Sequence, residues 1–380
     1  MKRFVLMPDS FKGTMSSQRI CDLMEQAIRE IYPDAEILKI PVADGGEGSV
    51  DAFLSAVGGE RRSADVAGPY FERMQAAYGA LHGGTVAVVE TAACAGLPLV
   101  NDRKDPSRTT TYGVGELIVR AAEDGAEKII VGLGGSATND MGTGAAAAAG
   151  VRFYDRAGKA YIPTGATLEA LTRVDVSGLS PALRGVEVVA MCDIDNPLCG
   201  DDGAAAVFAP QKGADAEMVK RLDAGLAHAA EVVRRDLGID VRALRGAGAA
   251  GGMGAGMTAF FGAQLRMGIE TVLDVVRFDT LARGADAVFT GEGRFDTQSL
   301  HGKAVIGIAG RAKALGVPVI AVVGDIGDGI DEAYGRGVTA LFSINRVALD
   351  RQLAKQRSAD DLRRTMGDIL RAMRAAQQRL

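Results

Sequence analysis

Residues 290–303, TGEGRFDTQSLHGK, bring together more chemically active side chains than any other stretch of the chain. Carboxylates of this kind can accept protons, an arginine can bind a carboxylate, and glycines let backbone amides approach a ligand. A solvated connector would also be polar, but it would rarely mix both charge signs with glycines and hydroxyls between two apolar segments. We therefore predict a functional loop, whose candidate groups are Glu292, Arg294, Asp296, Lys303, Thr290, Thr297, Ser299 and His301.

The segments on either side of this loop predict where it lies. The apolar run 285–289 is typical of a buried strand, and residues 304–314 are typical of a helix. In an open α/β sheet, loops that lead from a strand into a helix lie at the carboxyl edge of the strands, where ligands bind. The loop is therefore expected at a binding edge.

Three further loops of similar composition follow predicted strands near the two chain ends: PDSFKGT, ADGGEGS and VGDIGDG. Lys12 lies one short glycine-bearing step before a helix, whose free amides favour an anion. A capped helix start is the alternative interpretation of this segment. Asp44 is a candidate catalytic or metal-binding carboxylate, and a turn aspartate beside two glycines is its alternative.

The middle of the chain has its own strand-end loops. In GLGGSATNDMGTG, backbone amides and hydroxyls come immediately before a helix, which is the chemistry of a phosphate cradle; a tight strand–helix junction is the alternative. In CDIDNP, Asp193 and Asp195 offer the hard oxygen ligands that Mg²⁺ prefers. The residues predicted to bind phosphate are Gly134, Gly135, Ser136, Thr138 and Asn139.

Two apparent nucleotide motifs are discounted. Residues 246–251, GAGAAG, fit G-x-G-x-x-G, but no convincing strand precedes them and further glycines follow. No GxxxxGK[ST] loop occurs in the sequence. His82 and His228 lie outside the motifs and are interpreted as structural or exposed, and His301 is at most a substrate or supporting contact.

Composition limits the class of protein. A chain of 380 residues with 47% hydrophobic and 24% charged residues is expected to fold as two globular domains. A net charge of −5 without a basic run argues against a nucleic-acid or anionic-membrane partner. Four cysteines without a CxxC pair, no secretory signal and no long apolar span favour a cytoplasmic protein with reduced thiols. The oligomeric state stays open between monomer and homodimer.

The elements that must position the loops form two groups. Strands predicted at 4–7, 36–42, 285–289, 317–323 and 338–343 give five, the count of a flavodoxin-like parallel sheet. Between residues 60 and 93 the pattern changes to strands joined by turns, which indicates an insertion. The stretch 151–185 is expected to be turn-rich. The pattern also predicts one helix over 271–282 and a first helix that Ser16 or Ser17 caps. We therefore predict an α/β fold with a discontinuous flavodoxin-like domain, residues 1–60 and 266–380, that carries an inserted mixed α/β domain, residues 61–265.

Taken together, nine ordered motifs resemble those of the bacterial glycerate kinase family of the first class, from Phe4 to about Asn345. They are PDSFKGT, PVADGGEGS, ETAACAGLPLV, TTTYGVGELI, GLGGSATNDMGTG, CDIDNPLCG, GAAAVFAPQKGA, GAGAAGGMG and TGEGRFDTQSLHGK. The resemblance implies phosphorylation of D-glycerate by ATP with Mg²⁺, most often described as giving 2-phosphoglycerate. It also implies two α/β domains, one of them flavodoxin-like and carrying the other as an insertion. Met141, Met253 and a longer C-terminal tail depart from the expected pattern without touching a charged motif position.

On this basis each candidate residue receives a hypothetical role. Asp296 accepts the proton of the substrate hydroxyl, Asp44 and Asp193 are Mg²⁺ or catalytic carboxylates, and Lys12 contacts the phosphates. The division of roles among the carboxylates is open. The predicted substrate contacts are Arg294, which pairs with the glycerate carboxylate, and Ser10 and Thr297.

Three other classes remain as alternatives. An NAD-dependent hydroxy-acid dehydrogenase would use the GAGAAG segment. A non-catalytic small-anion binding protein would bind glycerate without consuming ATP. A phosphatase or mutase would use an aspartate nucleophile.

Overall fold

The structure is a computed structural model that describes residues 1–42 and 48–377. The described residues include sixteen strands, most of them short. In chain order they are β1 Arg3–Pro8, β2 Glu36–Lys39, β3 Glu60–Ala67, β4 Arg73–Leu81, β5 Val86–Glu90, β6 Lys128–Gly132, β7 Arg152–Tyr154, β8 Ala160–Tyr161, β9 Arg173–Asp175, β10 Glu187–Met191, β11 Gln264–Arg266, β12 Ala287–Gly291, β13 Arg294–Phe295, β14 Val319–Val323, β15 Asp325–Ile326 and β16 Val338–Ser343.

Fourteen α-helices accompany these strands in the part of the chain that the structure describes. They are α1 Ser17–Ile31, α2 Ser49–Val57, α3 Ala92–Ala95, α4 Leu97–Val100, α5 Tyr112–Glu123, α6 Thr143–Ala148, α7 Ala204–Phe208, α8 Ala216–Leu237, α9 Ala249–Phe261, α10 Gly268–Val275, α11 Phe278–Ala282, α12 Ala304–Ala314, α13 Glu332–Gly335 and α14 Arg351–Gln377.

The chain divides into two units. Unit 1 combines both chain ends, Met1–Asp44 and Met267–Leu380, and unit 2 is Gly45–Arg266. Helix α2 groups with unit 2, because it packs on β4 and β5. The sequence had placed this helix in the first domain, whose expected limit was residue 60.

Unit 1 is built on a five-stranded parallel sheet with the order β16-β14-β12-β1-β2. In order of appearance within the unit this is 2-1-3-4-5 read from β2, the flavodoxin-like arrangement that was predicted. The central strands β12 and β14 are buried along their whole length, as expected for a parallel sheet covered on both faces. Helices α1 and α14 pack together over one face, where Phe4, Leu6 and Phe289 contribute to the core.

Unit 2 contains a six-stranded mixed sheet with the order β11-β10-β6-β5-β4-β3. The four strands from β11 to β5 are parallel, whereas β5, β4 and β3 form the predicted antiparallel meander. The stretch 151–185, which was expected to be turn-rich, also forms a small antiparallel sheet with the order β8-β7-β9. The parallel part of the large sheet gives unit 2 a carboxyl edge of its own.

One predicted helix differs from the structure. Residues 271–282 were expected to be continuous, but α10 and α11 are separate helices. Arg277 between them adopts a left-handed conformation with φ of 54°. A left-handed residue interrupts a right-handed helix, and apolar spacing does not reveal it.

No helix among the described residues is long and apolar enough to cross a membrane.

Candidate active site

In unit 1 the loops that follow β1, β12 and β14 are bonded to one another at the carboxyl edge of the sheet. The amide of Asp9 donates to the carbonyl of Gly291 at 2.8 Å, and the amide of Gly324 donates to the carbonyl of Glu292 at 3.0 Å. The pairing of β13 with β15 extends this contact beyond the main sheet. The segment of residues 292–303, here called the β12–α12 loop, is therefore held by its neighbours.

Two of the predicted catalytic and substrate residues lie together in this loop. Arg294 Nε is 3.3 Å from Asp296 Oδ2, and Arg294 Nη1 is 3.7 Å from Asp325 Oδ2. The Arg294 side chain is 63% exposed and that of Asp296 is 32% exposed, so the pair can exchange partners with an incoming ligand. Thr297, the third predicted member, is exposed beside them.

The loop after β1 brings the remaining candidates of unit 1 to the same edge. The amide of Ser10 donates to Asp9 Oδ1 at 2.6 Å. The backbone nitrogen of Lys12 lies 3.4 Å from the position that a Cβ would take on Gly293, so this loop touches the β12–α12 loop. Helix α1 then begins at Ser17, and the Ser16 side chain accepts from the amide of Arg19, as the sequence predicted.

Glu292 is a carboxylate that the sequence placed in the loop without giving it a role. It is 8% exposed, and its Oε1 has no hydrogen-bond partner among residues 1–42 and 48–377. Burial raises the pKa of Glu292 to about 7, while a hydrogen bond from Ser299 acts in the opposite direction. A carboxyl group that titrates near neutral pH can both take and release a proton at physiological pH.

In unit 2 the loop between β6 and α6, residues 133–142, corresponds to the predicted phosphate cradle and is here called the β6–α6 loop. Its backbone is fixed by bonds to the segment after β5, in which the amide of Leu97 donates to Gly135 and the amide of Ala137 donates to Ala95. Ser136 and Thr138 are almost fully buried. The five predicted phosphate-binding residues thus belong to a braced strand–helix junction.

Lys212 enters this loop from far along the chain. Its Nζ donates to Ser136 Oγ at 2.9 Å and to the carbonyl of Thr138 at 2.7 Å, and the residue is 3% exposed. Burial lowers the pKa of Lys212 to about 7, and the nearby Asp140 acts in the opposite direction. Two of the three N–H donors of the ammonium are used in these bonds.

Asn139 and Asp140 are adjacent in the loop, but their side chains differ in hydrogen bonding. The Asp140 carboxylate accepts from the amides of Thr111, Gly142 and Gly144 and from the Thr111 hydroxyl, at 2.8–3.3 Å. Burial raises the pKa of Asp140, and these bonds lower it. Asn139 is fully buried, yet neither Nδ2 nor Oδ1 has a hydrogen-bond partner in the described part of the chain. Buried amides are almost always bonded, so Asn139 is a candidate ligand contact.

The discounted glycine-rich segment packs against the β6–α6 loop. No strand directly precedes it, and it opens α9 with left-handed residues from Ala250 to Gly252. A Cβ on Gly251 would lie 2.0 Å from the carbonyl oxygen of Thr138, so only glycine fits there. The segment supports the loop and lacks the strand–turn–helix context of a dinucleotide fingerprint.

The predicted metal-binding residues have different outcomes. Asp193 follows β10 at the carboxyl edge of the unit 2 sheet. Asp195 is paired with Arg245 at 2.6 Å. Asp44 lies outside the described residues. Among the described residues, no group of three or more His, Cys, Asp or Glu side chains is arranged to hold a metal ion.

Sequence reasoning missed Lys212 as a site residue, and it included Glu292 in the functional loop without assigning it a role. The motif GAAAVFAPQKGA contains Lys212, but no spacing rule connects it to a loop more than 70 residues earlier.

The three hydroxyls of residues 109–111 are fully buried, and Thr109 and Thr111 donate to Ala137 and Asp140. They brace the β6–α6 loop. His228 bonds to the carbonyl of Leu171 and His301 is exposed.

Comparison with known proteins gives consistent results. A family model described as the glycerate kinase family matches residues 4–374. The chain is 43% identical over 375 residues to a glycerate kinase of Bacillus subtilis (strain 168), which covers 98% of each protein. It is 44% identical over 343 residues to a glycerate 2-kinase of Escherichia coli (strain K12), covering 90% of each. A crystal structure described as a candidate glycerate kinase 2 from Salmonella typhimurium LT2 matches with a TM-score of 0.87 and 42% identity, over 99% of both chains.

Proposed function

The chain belongs to the glycerate kinase family, and from this premise we propose that it transfers the γ-phosphoryl group of ATP to a hydroxyl of glycerate. The observation that carries the proposal is the match to the family over nearly the whole chain at 43–44% identity. We further propose D-glycerate as the substrate and 2-phosphoglycerate as the product, since one relative is named a glycerate 2-kinase. A cytoplasmic location is part of the same proposal.

The β6–α6 loop is the proposed site for the nucleotide phosphates. The amides of Gly134 and Gly135 and the side chains of Ser136, Thr138 and Asn139 would contact phosphate oxygens. Lys212 holds Ser136 and the Thr138 carbonyl in place and adds positive charge when protonated. The unpaired amide of Asn139 supports this assignment, because a ligand would satisfy its buried polar atoms.

Asp193 and Asp44 are the proposed carboxylates for Mg²⁺. Mg²⁺ is usually held by one or two carboxylates together with substrate phosphates, and it keeps several waters. The ion would neutralise charge on the phosphate oxygens. Asp195 is a less suitable metal ligand, because its carboxylate already forms an ion pair with Arg245.

The loops of unit 1 are the proposed site for glycerate and for the acceptor hydroxyl. Arg294 would release Asp296 and Asp325 and bind the substrate carboxylate through its planar fork. Ser10 and Thr297 would contact the substrate hydroxyls, and Lys12 would contact the transferred phosphate. A carboxylate of the β12–α12 loop would accept the hydroxyl proton, and Asp296 is the residue that the sequence proposed for this role.

A coupled assay tests the proposal. The purified protein is incubated with ATP, Mg²⁺ and D-glycerate, ADP formation is measured, and the product is analysed by ³¹P and ¹³C NMR. We expect ADP and 2-phosphoglycerate in equal amounts, no activity with L-glycerate at the same concentration, and loss of turnover with excess EDTA that added Mg²⁺ restores. Glycerate binding without ATP consumption would instead identify a binding protein, and NADH formation from NAD⁺ without ATP would identify a dehydrogenase.

A further inference from the structure

Glu292 occupies an unusual position in unit 1. It follows the last residue of the central strand β12 at the carboxyl edge of the parallel sheet, where ligands bind in folds of this type. More than nine-tenths of its surface is buried, and Oε1 lacks a hydrogen-bond partner among the residues that the structure describes. An unpaired buried carboxylate oxygen is costly unless another group satisfies it. A substrate hydroxyl is a donor that would do so.

The charged groups around Glu292 come from each element packed against it. Burial raises its pKa most, and the negative charges of Asp9 in the loop after β1 and Asp296 in its own loop raise it further. The Ser299 hydroxyl, from the 3₁₀ turn Ser299–His301, donates to the carboxylate and lowers the pKa, as does Lys303 at the start of α12. The result is a carboxyl group with a pKa near 7, the value that best suits a general base at physiological pH.

Asp296 differs from Glu292 in its burial and in the partners of its carboxylate oxygens. It is paired with Arg294, its Oδ1 accepts the amide of Gln298 at 3.0 Å, and a third of its side chain is exposed. Both oxygens of this carboxylate are therefore engaged, one by an ion pair and one by a backbone hydrogen bond, whereas Oε1 of Glu292 has no partner among the described residues. The geometry of Asp296 suits it to orient Arg294.

We propose that Glu292, rather than Asp296, is the catalytic base that accepts the proton of the glycerate hydroxyl; this inference rests on the proposed function. In the step, the O–H bond of glycerate breaks and its proton moves to Oε1 of Glu292. The hydroxyl oxygen forms a bond to the γ-phosphorus of ATP, and the bond from that phosphorus to the β–γ bridging oxygen breaks. The electron pair leaves with ADP, and the protonated Glu292 later releases the proton to solvent.

The first test compares Glu292→Gln with Asp296→Asn and with a control at the other end of the same strand. Asp286 directly precedes β12, accepts from Lys2 Nζ at 2.6 Å and from the amide of Arg3 at 2.8 Å, and plays no part in the proposed site. Glutamine keeps the size of Glu292 and still accepts from Ser299, but it cannot take a proton. We expect kcat to fall by about 100-fold or more in Glu292→Gln, by about tenfold in Asp296→Asn, and by less than threefold in Asp286→Asn.

Two further measurements, the Michaelis constant for ATP and the melting temperature, show whether a lower kcat reflects lost proton transfer or a disturbed structure. Both are expected to stay close to the wild-type values in Glu292→Gln. A kcat within tenfold of wild type in this variant, or a 100-fold loss in Asp296→Asn alone, would overturn the assignment while the kinase activity stands. A wild-type protein that forms no ADP with glycerate would instead refute the proposed function itself.

Ser299→Ala provides a second test that does not depend on the folding of Glu292→Gln. Because Glu292 must be ionised to accept a proton, kcat/KM rises with pH through its pKa. Loss of the Ser299 hydrogen bond removes an interaction that stabilises the ionised form, so the acidic limb of the pH profile is expected to move to higher pH. An unchanged acidic limb in this variant would contradict the role of Glu292 as base.

Discussion

The β12–α12 loop of unit 1 and the β6–α6 loop of unit 2 both follow a central parallel strand, and each has a buried ionisable group with a pKa near 7. The groups are opposite in charge and in bonding. Lys212 donates to two atoms of its loop, whereas Glu292 keeps one oxygen unpaired among the described residues. A buried charged group whose hydrogen bonds are satisfied, such as Lys212, stabilises the conformation of its loop. A buried charged group with an unpaired atom, such as Glu292, is available to bind a ligand or accept a proton.

The polar groups left unpaired in the two loops sharpen this contrast. In the β6–α6 loop the unpaired group is the Asn139 amide, which can donate and accept hydrogen bonds but cannot take a proton at neutral pH. In the β12–α12 loop it is a carboxylate. One loop is thus equipped for recognition and the other for proton transfer, and changes in them should affect different measurable quantities.

The largest expected effect is a loss of stability when Asp140, which holds the β6–α6 loop through hydrogen bonds, is replaced. Asp140→Asn replaces a carboxylate that accepts four hydrogen bonds with an amide whose NH₂ group faces N–H donors, so unfolding free energy should fall by about 4 kcal/mol. Urea unfolding followed by circular dichroism measures this. Asp155→Asn is the matched control, because Asp155 accepts two amides in a surface turn of the same unit. A loss below 1 kcal/mol in Asp140→Asn would mean that the loop is not braced through this residue.

The second effect concerns the pH dependence of stability. Lys212 has an unfolded pKa of 10.5 and a folded pKa of about 7, so between these values the unfolded chain binds more protons and stability rises with pH. The burial penalty is therefore greatest below pH 7. Lys212→Met removes it, so the stability of the variant relative to wild type should be more favourable at pH 7 than at pH 9 by about 2 kcal/mol. A difference that does not vary with pH would show that Lys212 titrates normally.

The third effect is kinetic and uses the same Lys212→Met variant. If the β6–α6 loop holds the nucleotide, loss of the two bonds from Nζ should raise the Michaelis constant for ATP by about 30-fold, corresponding to about 2 kcal/mol, with little change in that for glycerate. Glu292→Gln should show the reverse pattern, with kcat affected and the ATP constant unchanged. If Lys212→Met changed the Michaelis constants for ATP and for glycerate equally, the assignment of nucleotide binding to the β6–α6 loop would be contradicted.

The smallest effect is expected at the surface of the β12–α12 loop. Arg294→Met should raise the Michaelis constant for glycerate about tenfold and leave that for ATP unchanged, because the variant keeps the apolar stem and loses the bidentate donor. Arg29→Met is the control, since Arg29 pairs with Glu25 on the exposed face of α1. If both variants behave like wild type, Arg294 does not contact the substrate carboxylate.

The sequence predicted the sheet of unit 1 well because its central strands are short apolar runs between loop signals. It could not predict the burial of Glu292, because loops are usually exposed and the 8% exposure of this side chain arises only in the folded chain. Lys212 was missed for a related reason, since its contacts with Ser136 and Thr138 arise only in the folded chain. The break at Arg277 depends on one backbone conformation that hydrophobic spacing does not encode.

The sheet of unit 1 has a consequence for how the protein is made. Strand β1 pairs with β2 and with β12, and β12 is synthesised only after all of unit 2. At 5–20 residues per second, the ribosome needs roughly ten to fifty seconds to bridge that interval. During this time the apolar β1 is translated but lacks its inner neighbour, so this nascent strand keeps an unpaired edge that is prone to aggregation.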